Sequence, residues 1–299
     1  MDRFDPATES FKRFTPDGPF KARVISTTED REGVLWFATN DGLIRMDPET
    51  GRTVHYEHKP GDPTSLTSNR VRSAFEAKDG TFWVAMTSGV DLFDRRTAKV
   101  LKPIPLPPEL PGIDPNPELQ ISFCEDRAGV LWMTLSFGYG LARVSREAGT
   151  LTFYSLDGTG KDNTLQAGAR SIIELEDGTL WIGTTASGML KLNRERTRFV
   201  RYRNNPADPN SISGDQVHGL FLDREGNMWA GTNGAGINRF SPHPLPFKVY
   251  QHKIGDPNSL DMNYTTSIFE DSRGLGARPT RRDLAVFFFC GYNPNVCIR

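Results

Sequence analysis

Along this chain, apolar and polar positions change places over short distances. Runs of about five residues rich in Val, Ile, Leu, Phe and Trp are separated by clusters of Gly, Asp, Asn and Pro. No segment keeps an apolar stripe at 3.6-residue spacing, so the pattern predicts strands and turns with almost no helix. One stretch shows the unit. Residues 24–29 alternate weakly, and Asp30-Arg31-Glu32-Gly33 is a tight turn. Residues 34–39 are β-branched and aromatic, and Asn40-Asp41-Gly42 signals a hairpin. Residues 43–47 and 53–56 are two further strands around the turn Pro48-Glu49-Thr50-Gly51. A linker from His58 to Leu66 then crosses to the next unit.

The unit recurs. Trp36, Trp83, Trp132, Trp181 and Trp229 are spaced by 47, 49, 49 and 48 residues. Each follows a glycine by three positions: Gly33, Gly80, Gly129, Gly178 and Gly226. Seven residues before the glycine stands Ser26, Ser73, Ser122, Ser171 or Gly219, and four before it Glu29, Glu76, Glu125, Glu174 or Leu222. A half-repeat supplies Ser267, Glu270 and Gly274 at the same offsets. A four-stranded sheet that is apolar on both faces needs neighbours to cover it, and radial repetition provides them. The expected fold class is therefore all-β, a β-propeller of four-stranded antiparallel blades. Five complete blades are expected at about 23–57, 70–105, 119–155, 169–203 and 216–250, with a partial or composite sixth from 1–14 and 263–274. The tryptophans then have a structural role as fillers between blades, and the Ser/Gly column suits crowded inner strands.

Residues 1–274 read as one β-propeller domain and 275–299 as an aberrant tail. The tail has no Trp at position 277 and carries Phe287-Phe288-Phe289-Cys290 instead. Reading from the third codon base after Gly274 permits the spacing of Trp229, Thr232, Asn233 and Gly236, so the tail is expected to be a frameshift product.

Composition narrows the partners. The chain has 299 residues, 37% hydrophobic and 24% charged, within the globular range. Lys+Arg is 36 and Asp+Glu 37, so nothing marks a nucleic-acid partner. No apolar run approaches the roughly 18 residues of a membrane span. Three cysteines form neither a disulfide framework nor a zinc pattern, and neither metal nor cofactor is expected. The N-terminus lacks an apolar signal segment, which on its own implies the cytoplasm.

Candidate chemistry is sparse. Of His55, His58, His218, His243 and His252, four read as solvated loop or fourth-strand residues. His218 instead joins an inner-strand column with Ile25, Arg72, Ile121, Arg170 and Thr266, part of which would line the axis. The pairs Glu29-Asp30, Glu125-Asp126 and Glu270-Asp271 read as turn stabilisers rather than acid–base pairs. No catalytic constellation is visible, so no enzyme is expected. The loops between second and third strands share a side with the interblade linkers, and long loops tend to carry function. That face makes Asn40, Arg70, Phe137, Tyr139, Arg170, Thr185, Gln216, His218 and Asn233 the candidate ligand-binding residues. The aromatic pair around Gly138 suits a sugar.

These motifs carry a resemblance. Gly178-Thr179-Leu180-Trp181-Ile182-Gly183-Thr184, the linker Asp208-Pro209-Asn210-Ser211-Ile212-Ser213, and its recurrences at 61–66 and 255–260 resemble the two-component regulator propeller repeat. The resemblance implies a sensor outside the inner membrane, an oligosaccharide or other small ligand, and propeller–propeller or dimer contacts. It implies sensing only, since no kinase or cyclase motif is present in this chain. Two other readings stay open: a propeller lyase of the streptogramin-lyase type, which would need His218, and a protein-interaction scaffold. The nucleotide sequence tests the tail directly. A shifted frame after Gly274 is expected to restore a Trp–Thr–Asn/Asp–Gly spacing, and its absence in both other frames removes the frameshift reading.

Overall fold

The structure is a computed structural model that describes residues 2–5, 10–13, 22–107, 119–136, 140–154, 168–240, 248–252, 254–256, 259 and 263. Among them every regular element is a strand. A hairpin of β1 (Asp2–Asp5) and β2 (Ser10–Arg13) comes first. Blade 1 is β3 (Val24–Glu29), β4 (Leu35–Thr39), β5 (Gly42–Met46) and β6 (Thr53–Tyr56). Blade 2 is β7 (Val71–Glu76), β8 (Phe82–Met86), β9 (Gly89–Asp94) and β10 (Lys99–Pro105). Blade 3 is β11 (Ile121–Glu125), β12 (Leu131–Leu135), β13 (Leu141–Ser145) and β14 (Thr150–Tyr154). Blade 4 is β15 (Ala169–Glu174), β16 (Leu180–Thr184), β17 (Met189–Leu192) and β18 (Phe199–Tyr202). Blade 5 is β19 (Val217–Leu222), β20 (Met228–Thr232), β21 (Gly236–Phe240) and β22 (Lys248–Tyr250). All five sheets are antiparallel meanders in chain order, the arrangement of propeller blades. The expected joining of residues 1–14 to 263–274, and the tail, lie outside the described residues.

The chain divides into two compact units, Met1–Tyr154 and Ser155–Arg299. In the first unit β3 lies against β7 and β7 against β11, so first strands are neighbours, while β4 packs on β7. In the second, β15 lies against β19 and β16 packs on β19.

The tryptophans fill the seams. Trp36 sits 4.6 Å from Phe82 and 6.3 Å from Phe93 of the next blade, and stacks on its own blade's Tyr56 at 5.9 Å. Trp83 is buried with Ile121, Leu131 and Met133 of blade 3. In the second unit Trp181 lies 5.1 Å from both Tyr202 and Phe240. Burying an indole also obliges its N–H to find an acceptor. The turn before the second strand supplies one. Trp36 donates to Asp30 Oδ2 at 2.8 Å, Trp132 to Asp126 Oδ2 at 2.9 Å, and Trp229 to Asp223 Oδ2 at 2.8 Å. The other oxygen of Asp30 accepts the backbone N–H groups of Glu32 and Val34, closing the turn. The turn's glycine, Gly33, has φ +78°, a region costly for side chains with a Cβ. Where alanine replaces the aspartate, at Ala77, Trp83 donates to Thr81 Oγ1 at 3.0 Å.

The glutamate column staples blades together. Glu76 Oε2 accepts the backbone N–H of Arg31 across the seam at 2.8 Å. Arg95 then bridges the seam, donating to Asp30 Oδ2 and Glu76 Oε1 at 2.8 Å each. The same device recurs one blade on, where Glu125 accepts from Lys78 N–H and Arg146 reaches both Asp79 and Glu125. Asp30, Asp126 and Glu125 are thus engaged in holding turns and seams, while Glu270-Asp271 lies outside the described residues. Burial works against the charge on Asp30, but hydrogen bonds from Trp36, Val34, Arg95 and Glu32 hold its carboxyl below the usual range.

Four first strands carry a β-bulge at one position. Pairing skips between Val24 and Ser26, Val71 and Ser73, Ala169 and Ser171, and Val217 and Gly219. The extra residues are Ile25, Arg72, Arg170 and His218. In β11 the ladder is continuous, and Ile121 pairs with Leu135. A bulged residue leaves the ladder and its side chain is re-aimed.

Replacing Asp30 with alanine strips the acceptor from a buried indole, two turn amides and Arg95. Asp30→Ala is expected to lower unfolding free energy by roughly 2–4 kcal/mol with the urea m-value unchanged. A loss below about 0.5 kcal/mol, the scale of an ordinary surface change, would remove the anchor role.

Candidate ligand-binding face

The turns between second and third strands hydrogen-bond to the linkers entering first strands, which puts them at one end of each blade. Asn40 N–H donates to Arg23 O at 3.3 Å, Thr87 N–H to Arg70 O at 3.3 Å, and Ser136 N–H to Gln120 O at 3.0 Å. In the second unit Thr185 N–H donates to Gly168 O and Asn233 N–H to Gln216 O, each at 2.9 Å. A glycine opens most third strands here because the fourth strand runs close by. A Cβ at Gly42 would strike the Tyr56 carbonyl.

The linker itself is clamped from within the blade. In the first unit Thr67 donates its N–H to Asp91 Oδ2 at 2.9 Å and its hydroxyl to Oδ1 at 3.1 Å. Asp91 is fully buried. Burial, opposed by the bonds from Thr67 and the charge of His58, pushes its carboxyl up to about 6. In the second unit the equivalent pair is neutral: Ser213 N–H donates to Asn238 Oδ1 at 2.8 Å, and Asn238 Nδ2 donates to Ser213 Oγ at 2.9 Å. His58 belongs to the same linker, with Nδ1 at 2.6 Å from Leu66 O.

Of the sequence candidates, the first unit holds Asn40 and Arg70, both exposed at this end. Asn40 Oδ1 accepts Arg23 N–H at 2.9 Å, so its side chain also ties turn to linker. The second unit holds Arg170, Thr185, Gln216, His218 and Asn233 on blades 4 and 5. Gln216 and Asn233 are exposed and joined, Asn233 Nδ2 donating to Gln216 Oε1 at 2.7 Å. His218 is buried beneath them, and burial together with the positive charge of Arg170 pushes its imidazole down to about 4. At neutral pH it is uncharged and a weak base. Phe137 and Tyr139 lie outside the described residues.

Two features escaped sequence reasoning. Asp41, His55 and Glu57 come together in blade 1, their ligating atoms within 4.8 Å of one another and all exposed. One ring nitrogen of His55 meets the Asp41 carbonyl, and the other lies 3.6 Å from Glu57. Spacing could not find this trio because the β5–β6 pairing brings it together. An open groove of about 550 Å³ lies at the opposite end of blade 4, among Asp177, Lys191, Asn193, Arg194 and Arg198. It shares no residue with the candidate face. Lys191 is already engaged there, 5.3 Å over the Trp181 ring and 3.6 Å from Asp177.

Comparison with known proteins follows the same lines. Residues 211–234, which hold the end of a linker, the Trp229 strand and its hairpin, match the family profile of the two component regulator propeller. A segment of 58 residues is 41% identical to Histidine kinase P4 of Formosa agariphila, covering 19% of this chain and 4% of that protein. The extracellular domain of a hybrid two component system from B. thetaiotaomicron superposes with a TM-score of 0.54 at 16% identity, over 89% of this chain and 39% of that one. Streptogramin B lyase superposes with a TM-score of 0.55 at 16% identity, over 79% of this chain and 70% of that one. At these identities the structural likeness is one of fold. The chain spans well under half of the two-component domain and a small fraction of the kinase. Among the described residues no helix is long and apolar enough to cross a membrane.

The linker clamp predicts a pH dependence. Asp91 has a folded pKa of about 6 against 3.8 in the unfolded chain, so the folded state binds its proton more tightly. Its stabilising contribution is therefore complete below pH 4 and is lost as pH rises through 6, a change of about 3 kcal/mol. Asp91→Asn copies the neutral clamp of blade 5. It is expected to melt above wild type at pH 8 and to lose that advantage by pH 4, and parallel pH profiles for the two proteins would contradict the assignment.

Proposed function

We propose that this chain, which carries the two-component regulator propeller repeat, is the ligand-sensing part of a two-component signalling protein and meets an oligosaccharide at its linker face. One contrast supports the reading. At the turn end of the blades, carboxylates and arginines are spent on seams, as with Asp30, Glu76, Arg95 and Arg146. At the linker end, amides and an arginine (Asn40, Gln216, Asn233 and Arg70) stand exposed. Paired amides offer the donors and acceptors that sugar hydroxyls require. Extracytoplasmic location follows from the family context. Signalling would arise because the ligand binds one arrangement of the sensor better than another, and it can shift the balance only by that difference.

The chain is expected to bind a subset of a neutral and acidic oligosaccharide panel in calorimetry. Gln216→Ala/Asn233→Ala is expected to weaken that binding by roughly tenfold while leaving the melting temperature near wild type, as surface substitutions do. Absence of binding across the panel, with a protein partner captured instead, would favour a scaffold. Turnover of a ligand, abolished by His218→Ala, would favour a lyase.

A further inference from the structure

Two half-buried arginines of the seams are paired with carboxylates. Arg95 bridges two carboxylates at 2.8 Å each, and Arg146 likewise spans Asp79 and Glu125. Arg72 is different. It is the bulged residue of β7 and is only 3% exposed. Its Nε is buried with no hydrogen-bond acceptor, and no carboxylate pairs with it among the described residues. The corresponding residues of the flanking first strands are apolar, Ile25 on β3 and Ile121 on β11. Burial first, and then the positive charges of Arg70 and Arg23, disfavour its protonated form. Arg23 and Arg70 occupy equivalent entry positions of β3 and β7, both exposed, each accepting through its carbonyl from a neighbouring turn. The backbone under Arg72 is pinned, since Ser26 Oγ–H donates to Arg72 O at 3.0 Å.

We propose that Arg23, Arg70 and Arg72 form an oxyanion subsite of the linker face, fitted to a carboxylate or sulfate group carried by the ligand. The subsite deepens the sensor reading and rests on it for the rest of the ligand. An unpaired buried cation is costly, and the cost is removed when an anion supplies the missing acceptor. A guanidinium offers a planar fork of donors that matches two oxygens of such a group. The bulge frees Arg72 from the ladder, and the exposed pair attracts negative charge toward it.

Side-chain NMR of the arginine Nε–H groups in the full chain tests this, with sodium acetate and sodium sulfate as probes and sodium chloride at equal ionic strength as reference. Acetate or sulfate is expected to move the Arg72 signal saturably, chloride to leave it in place, and Arg70→Gln to weaken the response roughly tenfold. Arg72→Met is expected to melt above wild type, because a lone buried charge is gone, and to lose the melting-temperature rise that the oxyanion gives wild type. A wild-type Arg72 signal that responds no more to oxyanions than to chloride, or an Arg72→Met protein that keeps the response, overturns the subsite. Digalacturonate, a sulfated disaccharide and neutral digalactose separate a sugar-borne group from a free anion. Binding of the neutral sugar with Arg72 unmoved by every anion overturns the subsite and leaves the sensor reading standing. Acetate or sulfate bound at Arg72 with none of the sugars supports the subsite and counts against the oligosaccharide.

Discussion

Burial of an indole at each seam is the constraint on which the blades depend, and in three of them a turn aspartate accepts its N–H. A four-stranded sheet with two apolar faces has to be covered by its neighbours, and the bulkiest side chain available does the covering. An indole also brings an N–H that cannot be left dry without cost. Asp30, Asp126 and Asp223 resolve that difficulty from the turn immediately before the tryptophan strand. The same carboxylate closes the turn and, in blade 1, receives the arginine that ties the next blade. One side chain therefore couples turn geometry, seam filling and blade-to-blade attachment. Blade 4 shows the alternative, with Leu175 at the aspartate position and the Trp181 N–H buried without an acceptor.

This anchoring divides each blade functionally. In the first unit the turn end is closed by ion pairs that cross the seam. The linker end is held chiefly by backbone bonds and by clamps such as Thr67–Asp91 and Ser213–Asn238, which leaves polar side chains exposed at its rim. The spent charges of the turn end and the exposed polar side chains of the linker end are therefore two aspects of one arrangement.

Much of this was legible from residue types and spacing. The tryptophan period, its glycine and the Asn40-Asp41-Gly42 hairpin marked the strands, because each answers a local demand on the backbone. The aspartates at 30 and 126 stood out beside a glutamate, whereas Asp223 was overlooked because Leu222 precedes it. The glutamate column was visible but not its employment, since Glu76 meets Arg31 and Arg95 only across a seam. The bulges were hidden for a different reason. An extra residue present at the same offset in four blades leaves the period unchanged, so no count of spacings reveals it. The mixed column of Ile25, Arg72, Arg170 and His218 was its one trace, and it marked a change in ladder pairing that only the register displays.

A residue displaced from the ladder has few obligations to its own sheet. Neither cross-strand partner nor pleat decides what may stand there, so isoleucine, arginine and histidine are all accommodated on one frame. The innermost strands of the four bulged blades thus contain sites whose residue can change singly, giving those blades different chemical character while the tryptophans behind them stay the same.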